Sequence, residues 1–207
     1  MRKKPRRRRR PPVRRPIRRS RNTPSTLQLD LACRALAAGG VIAYPTEAVW
    51  GLGCEPLNQH ACSRVLKLKK RGKGQGVILI ASDFDQVTPF LAHISRPKLK
   101  TVFDTWPGPV TWLLPAAQWV PDHLTGKHAT LAVRITAHPV ARALCAAYGG
   151  PLVSTSANVH GRPPARNALA VLRAFGDRID YVMPGETGGR ARPSEIRDFA
   201  TGKVLRK

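Results

Sequence analysis

The residues of this 207-residue chain that could do chemistry fall in a few short clusters, each beside an apolar run. Lys69, Lys70, Arg71 and Lys73 stand just ahead of residues 76–81, GVILIA, where cations can project over a strand edge toward phosphates. In a last helical turn the same residues would complement the macrodipole. Charge alone therefore leaves a phosphate site and a solvated helix end both open. Ser154, Thr155, Ser156, Ala157 and Asn158 close another apolar run, ahead of His160 and Gly161. Hydroxyls and an amide at such a strand end either bond a ligand or merely turn the chain. Arg134 lies within the apolar stretch 129–135. An isolated buried ion is very costly, so Arg134 either meets a carboxylate or faces solvent from an edge strand.

Other patterns exclude chemistries. Residues 184–190, PGETGGR, form a Gly-rich loop that matches neither G-x-x-x-x-G-K-[ST] nor a strand-linked G-x-G-x-x-G. The histidines 60, 93, 123, 128, 138 and 160 show no paired metal-ligand spacing, and no Ser-His-Asp order can be argued. Cys33, Cys54, Cys62 and Cys145 are widely spaced and read as reduced core residues. Trp106 and Trp112 read as core or loop anchors.

These clusters need elements to position them. Leu29, Ala32, Cys33 and Leu36 recur at helical spacing and stop at Gly39 and Gly40. Residues 41–44 predict a strand, the segment PTEAVWGLGCEPL a loop, and Asn58 the cap of a helix with Ala61, Val65 and Leu68 on one face. Strands are predicted over 76–81, 110–114, 129–135 and 151–154, with helical stripes at 140–147 and 168–175. Asp83 is expected to cap a short helix that Pro89 helps to close. Strands 179–183, 194–199 and 203–206 end the chain, the last two joined by a Thr201-Gly202 turn. Alternating strands and helices predict an α/β fold, one domain with a twisted mixed sheet and flanking helices.

The composition agrees with one globular unit carrying a basic extension. Lys plus Arg number 36 against 12 Asp plus Glu, a formal charge of +24, which favours polyanionic partners. Residues 1–24 hold 13 of those cations and no acid, interspersed with Pro, and predict a disordered tail ahead of a domain over 25–207. Such an arm could bind RNA phosphates or do nothing. No apolar run approaches a membrane span or a signal peptide, so a cytoplasmic location is expected.

Taken in order, YPTEAVWGLG (44–53), Lys69-x-Arg71, WPGPVT (106–111), Ala132-Val133-Arg134, STSAN (154–158) and PSEIRD (193–198) resemble the YrdC-type threonylcarbamoyl-AMP synthases, in their short single-domain bacterial form, the TsaC type. The likeness runs from about Thr26 to Arg206. It implies a YrdC-like twisted mixed sheet with a basic concave face, and a nucleotidyltransferase. Threonine and bicarbonate would combine as a carbamate that attacks the α-phosphorus of ATP, yielding threonylcarbamoyl-adenylate and pyrophosphate for a tRNA modification. It places Lys69, Arg71, Ser156, Asn158 and Arg206 on ATP, and Thr46, Arg134, Ser154 and Ser194 on L-threonine. It implies no covalent nucleophile and no protein metal site, Mg²⁺ arriving through the nucleotide phosphates. The implied partners are the tRNA-modification proteins that take up the adenylate, with tRNA itself a further candidate.

Gly72 stands where many relatives have Pro, Gln75 where many have Lys, and Ala48 and Trp50 where Thr and Tyr are commoner. The missing lysine at 75 removes one phosphate contact, which Lys70 or Lys73 could replace. Two rival readings are a non-catalytic RNA-binding or ribosome-maturation factor, suggested by the charge, and a carbamoyl-transfer module of the hydrogenase-maturation type, which shares the fold. No RRM or KH signature supports the first. No zinc-finger or acylphosphatase part accompanies the second.

Overall fold

The structure, a computed structural model, describes residues 22–72 and 74–206. Residues 1–21 of the predicted tail lie outside that range, as does Lys73. Asn22 already touches the fold, its Oδ1 accepting from Glu186 N at 2.8 Å.

Nine strands form one mixed sheet among the described residues. They are β1 (Ile42–Pro45), β2 (Trp50–Cys54), β3 (Ile78–Ala81), β4 (Val110–Pro115), β5 (Thr130–Ile135), β6 (Leu152–Ser156), β7 (Tyr181–Val182), β8 (Glu195–Asp198) and β9 (Val204–Arg206). Their order is β7-β1-β2-β6-β3-β5-β4-β8-β9. The β1–β7, β3–β5 and β4–β8 pairs are parallel and the others antiparallel. The helices are α1 (Thr26–Ala37), α2 (Gln59–Lys69), the one-turn α3 (Lys100–Phe103) and α4 (Asp122–Thr125), α5 (Pro139–Tyr148) and α6 (Ala168–Phe175).

The strands alternate between two cores, as a sheet covered on both faces requires. Ile42, Tyr44, Ile80 and Leu152 pack with Ala32 and Leu36 of α1 and Val140 and Leu144 of α5. Val41, Ala43, Leu79 and Val153 pack on the opposite face with Ala61 and Val65 of α2 and Val171 and Phe175 of α6. Local signals set the helix starts. Ser25 and Gln28 form a reciprocal capping box on α1, and Asn58 Oδ1 accepts from Ala61 N at 2.9 Å on α2.

Two local expectations fail for identifiable reasons. The predicted loop after β1 holds β2, which returns in register, Tyr44 opposite Gly51 and Ile42 opposite Gly53. Its glycines looked like loop residues, yet they let the Tyr44 ring lie against the strand. A Cβ on Gly53 would come within 2.4 Å of Val153 O and 2.7 Å of the Tyr44 hydroxyl. Asp83 caps no α-helix. Its Oδ1 accepts from Gln86 N at 3.2 Å in a turn, and Pro89 lies inside a single 3₁₀ turn, Thr88–Phe90.

Candidate active site

A cavity of about 670 Å³ opens where side chains from β2, β3, β5, β6, β8 and β9 converge. All nine residues assigned above to ATP or threonine line it. Two opposed ends can be told apart by their hydrogen bonds.

At one end the C-terminus of α2 meets the end of β6. Lys70 ends α2 in the left-handed region at φ 51°, a conformation that costs a non-glycine residue about 1 kcal/mol and turns the chain so that Arg71 faces the cavity. Lys69 is only 5% exposed, which excludes the solvated-helix-end alternative for this residue. Its Nζ donates toward Ser156 O at 2.5 Å, Asn158 Oδ1 at 2.8 Å, Asn158 O at 3.1 Å and Ser156 Oγ at 3.3 Å. Ser156 Oγ in turn donates to Asn158 Oδ1 at 2.7 Å, and Asn158 Nδ2 to Arg162 O at 2.6 Å. An ammonium has three protons, so Lys69 is saturated by the turn it organises. Desolvation and then the nearby Arg71 charge bring its pKa down to about 8.

Arg71 donates from Nε to Gln75 Oε1 at 2.6 Å and from Nη2 to Gly76 O at 3.2 Å. Gln75 therefore anchors the arginine. Lys70 is exposed and does not line the cavity, so it does not replace a lysine at 75. Lys73 lies outside the described residues.

At the other end, Arg134 is 7% exposed. β5 lies between β3 and β4, which rules out the edge-strand reading of this arginine. Its Nη1 is 3.5 Å from Glu47 Oε2. Glu47 Oε1 accepts from Thr136 Oγ1 at 2.8 Å and Ala137 N at 3.1 Å. Thr46 Oγ1 donates to Val49 O at 2.7 Å, tying the β1–β2 turn, and Ser154 is buried on β6 opposite Gly53. Ser194 Oγ receives Thr111 Oγ1 at 3.1 Å and Arg206 Nη2 at 3.3 Å, while Arg206 Nη2 also reaches Ser194 O at 2.8 Å.

The electrostatics are one-sided. Among the described residues, Lys69, Arg71, Arg134, Arg190, Arg192 and Arg206 line the cavity against a single acid, Glu47. Desolvation, then the charges of Arg134 and Arg71, lower the pKa of Arg206 from its ordinary value. Arg206 thus feels the guanidiniums of both Arg134 and Arg71, an arrangement that anions relieve.

The sequence reading assigned no role to Glu47, Thr136, His138, Arg190 or Arg192. Glu47 adjoins Thr46 in the quoted motif, and Arg190 ends the Gly-rich loop that matched no phosphate signature. Their arrangement is tertiary. Gly188 N donates to Thr46 O and Arg190 N to Glu47 O, both at 3.0 Å, strapping that loop over the β1–β2 turn. His138 donates from Nε2 to Glu186 O at 3.0 Å, and desolvation lowers its pKa, so the ring is neutral.

A twisted mixed sheet with a cavity lined by fixed cations and hydroxyls defines an α/β protein whose site suits anionic ligands. Residues 34–207 match the Sua5/YciO/YrdC family model, described as telomere recombination, and the chain belongs to that family. It is 55% identical over 179 residues to the threonylcarbamoyl-AMP synthase of Nitrosococcus oceani, covering 86% of this chain and 97% of that one. Sua5 of P. abyssi, solved in complex with L-threonine, superposes with a TM-score of 0.79 at 29% identity over 85% of this chain and 52% of its own. The fold is also that of YciO from E. coli, with a TM-score of 0.81 at 24% identity, over 90% of this chain and 91% of that one.

Proposed function

We propose that the chain is a threonylcarbamoyl-AMP synthase, joining L-threonine, bicarbonate and ATP in the one cavity. The observation that supports this is that two clusters of cations, hydroxyls and an amide, Lys69–Arg71–Ser156–Asn158 and Arg134–Thr46–Ser154–Ser194, line one cavity together with Arg206.

Arg71 and Arg206 hold the nucleotide phosphates, and Ser156 and Asn158, fixed by Lys69, complete that subsite. Arg134 takes the threonine carboxylate, with Thr46, Ser154 and Ser194 around the amino acid. Threonine ammonium and bicarbonate lose one water and one proton to give the carbamate. A carbamate oxygen then bonds to the α-phosphorus as the bond to the departing pyrophosphate breaks, leaving a mixed anhydride. The protein contributes placement and cationic stabilisation, which suffice where no covalent intermediate forms.

The donor set fits a Mg²⁺ ion carried by the nucleotide rather than one caged by protein. Among the described residues no group of three or more His, Cys, Asp or Glu gathers, and the one cavity acid is engaged by Arg134. Bound that way, Mg²⁺ would neutralise part of the phosphate charge. The anhydride hydrolyses readily, which suits transfer to tRNA-modification proteins and thence to tRNA. The reading includes residues 25–207 as the catalytic domain and a cytoplasmic setting. Among the described residues no helix is long and apolar enough to cross a membrane.

The test is pyrophosphate release from ATP. It should require threonine and bicarbonate together, and equal release with either omitted would sink the mechanism.

A further inference from the structure

Glu47 is the one cavity-lining group whose charge opposes all its neighbours, and its carboxylate is only half used. Oε1 is held by Thr136 Oγ1 and Ala137 N. Oε2 accepts no hydrogen bond, and 3.5 Å away Arg134 leaves its Nε without a partner, both atoms being buried. The two side chains are 10% and 8% exposed. Buried ions hydrogen-bonded on one side only are expensive, and a pair this long recovers little of that cost. The unused positions are complementary, an acceptor on Glu47 beside a donor on Arg134, and an entering ligand reaches them by parting the pair.

We infer that Glu47, through Oε2, receives the α-ammonium of the incoming amino acid while Arg134 takes its carboxylate. The inference rests on the threonine reading above and assigns a substrate contact to a residue outside it. An α-amino acid carries both ionised groups on one carbon, so it can bridge a short, loosely paired Glu–Arg couple without burying net charge. Among the described residues no other acid lines the cavity, so the ammonium has a single anionic partner there. The hydroxyls nearby are spoken for in part, Thr46 by Val49 O and Ser194 by Thr111 and Arg206.

The surroundings hold Glu47 for this task. Its backbone carbonyl receives Arg190 N and that of Thr46 receives Gly188 N, so the strapped loop fixes the turn. Gly188 permits this approach, since a Cβ there would lie 3.1 Å from the Glu47 backbone. Burial acts to raise the Glu47 pKa, but Arg134 and the hydrogen bonds outweigh it and keep the group below its ordinary value, ionised at neutral pH. Once the nitrogen becomes a carbamate it carries no positive charge. The pairing with Glu47 is then released, and the new anion is drawn toward the cations.

Calorimetric titration separates a substrate contact from a merely structural one. L-threonine is compared with 2,3-dihydroxybutanoate, which replaces the ammonium by a hydroxyl, on the wild type and on Glu47→Gln. The substitution should weaken threonine by about tenfold or more, the worth of a charge-assisted hydrogen bond, and leave the hydroxy acid nearly unchanged. Equal weakening of both compounds would mean that Glu47 only positions Arg134, and would overturn the assignment, as would undiminished threonine affinity. If Glu47→Gln does not fold, Glu47→Asp keeps the charge but withdraws it by one methylene. The same selective loss is then required, and an unselective loss overturns the assignment. Wild-type protein that binds no threonine at all would instead overturn the amino-acid site itself.

Discussion

Replacing Lys69 with Ala tests whether this lysine is a mobile phosphate hook or a fixed part of the turn. Of its four oxygen acceptors, three keep a partner when the ammonium goes. Ser156 Oγ and Asn158 Oδ1 bond each other, and Ser156 O still receives Asn158 N at 2.9 Å. Asn158 O is left without one. An orphaned, partly buried acceptor costs about 1–3 kcal/mol, and release of a desolvated charge returns part of that. A net loss of about 2 kcal/mol should lower the Tm of a chain this size by roughly 4–8 °C. Lys69→Met keeps the aliphatic stem while removing every donor, so it should fall by a similar amount if the carbonyl is the cause. Arg71→Ala, whose lost partners are a surface glutamine and one carbonyl at 3.2 Å, should shift far less while still losing ATP affinity. Calorimetric scans and ATP titrations of the three variants decide the matter. A Lys69→Ala protein that melts within a degree of the wild type while losing ATP binding would refute the structural role.

ATP affinity should be full below about pH 8 and decline as the pH rises through it, because only the ammonium form of Lys69 satisfies its acceptors. The folding linkage has the opposite sign: between about 8 and the ordinary 10.5 the unfolded chain holds a proton that the folded one has released, so this group's contribution to stability rises there. Titrations from pH 7 to 9.5 that give a flat affinity would contradict the first statement. Gly53→Ala should cost about 3 kcal/mol or more, since its Cβ meets a β6 carbonyl at 2.4 Å and that backbone cannot move without the sheet. Denaturant unfolding measures it, and a loss under about 1 kcal/mol would show that β2 yields more easily than its packing implies.

The sequence made the apolar framework legible because its periods are local. The stripes of α1, α2, α5 and α6 and the runs of β3 and β5 appear at nearly their predicted places. β2 escaped because Gly51 and Gly53 carry no hydrophobic signal, although both are fully enclosed by tertiary neighbours. The cavity residues named in advance do converge, yet their partners could not be read. Lys69 and Asn158 are 89 positions apart, as are Glu47 and Thr136. Spacing along the chain carries no trace of such pairs. The isolated Arg134 was the clearest residue-level clue, since a charge inside an apolar strand demands an explanation and here finds one in Glu47.

The placement of these charges also explains how a site without a nucleophile can be selective in its timing. Arg206 shares the cavity with Arg71 and Arg134, and desolvation first, then those two charges, hold its pKa below the ordinary value, which is a cost to the free protein. Each anion that enters relieves part of it, so the second anion meets less uncompensated positive charge than the first did. Were that the only term, two anionic substrates would compete for the same cations. Glu47 alters the balance at one end, because a zwitterion bridging it and Arg134 brings no net charge and leaves Arg71 and Arg206 fully available to the phosphates. Conversion of the ammonium into a carbamate then takes the ligand from no net charge to two negative charges, at the position where Glu47 repels the new anion and the guanidiniums attract it. On the proposed assignment of Arg71 and Arg206 to the phosphates and of Glu47 and Arg134 to the amino acid, this arrangement of fixed charges favours the reacting pair over either substrate alone.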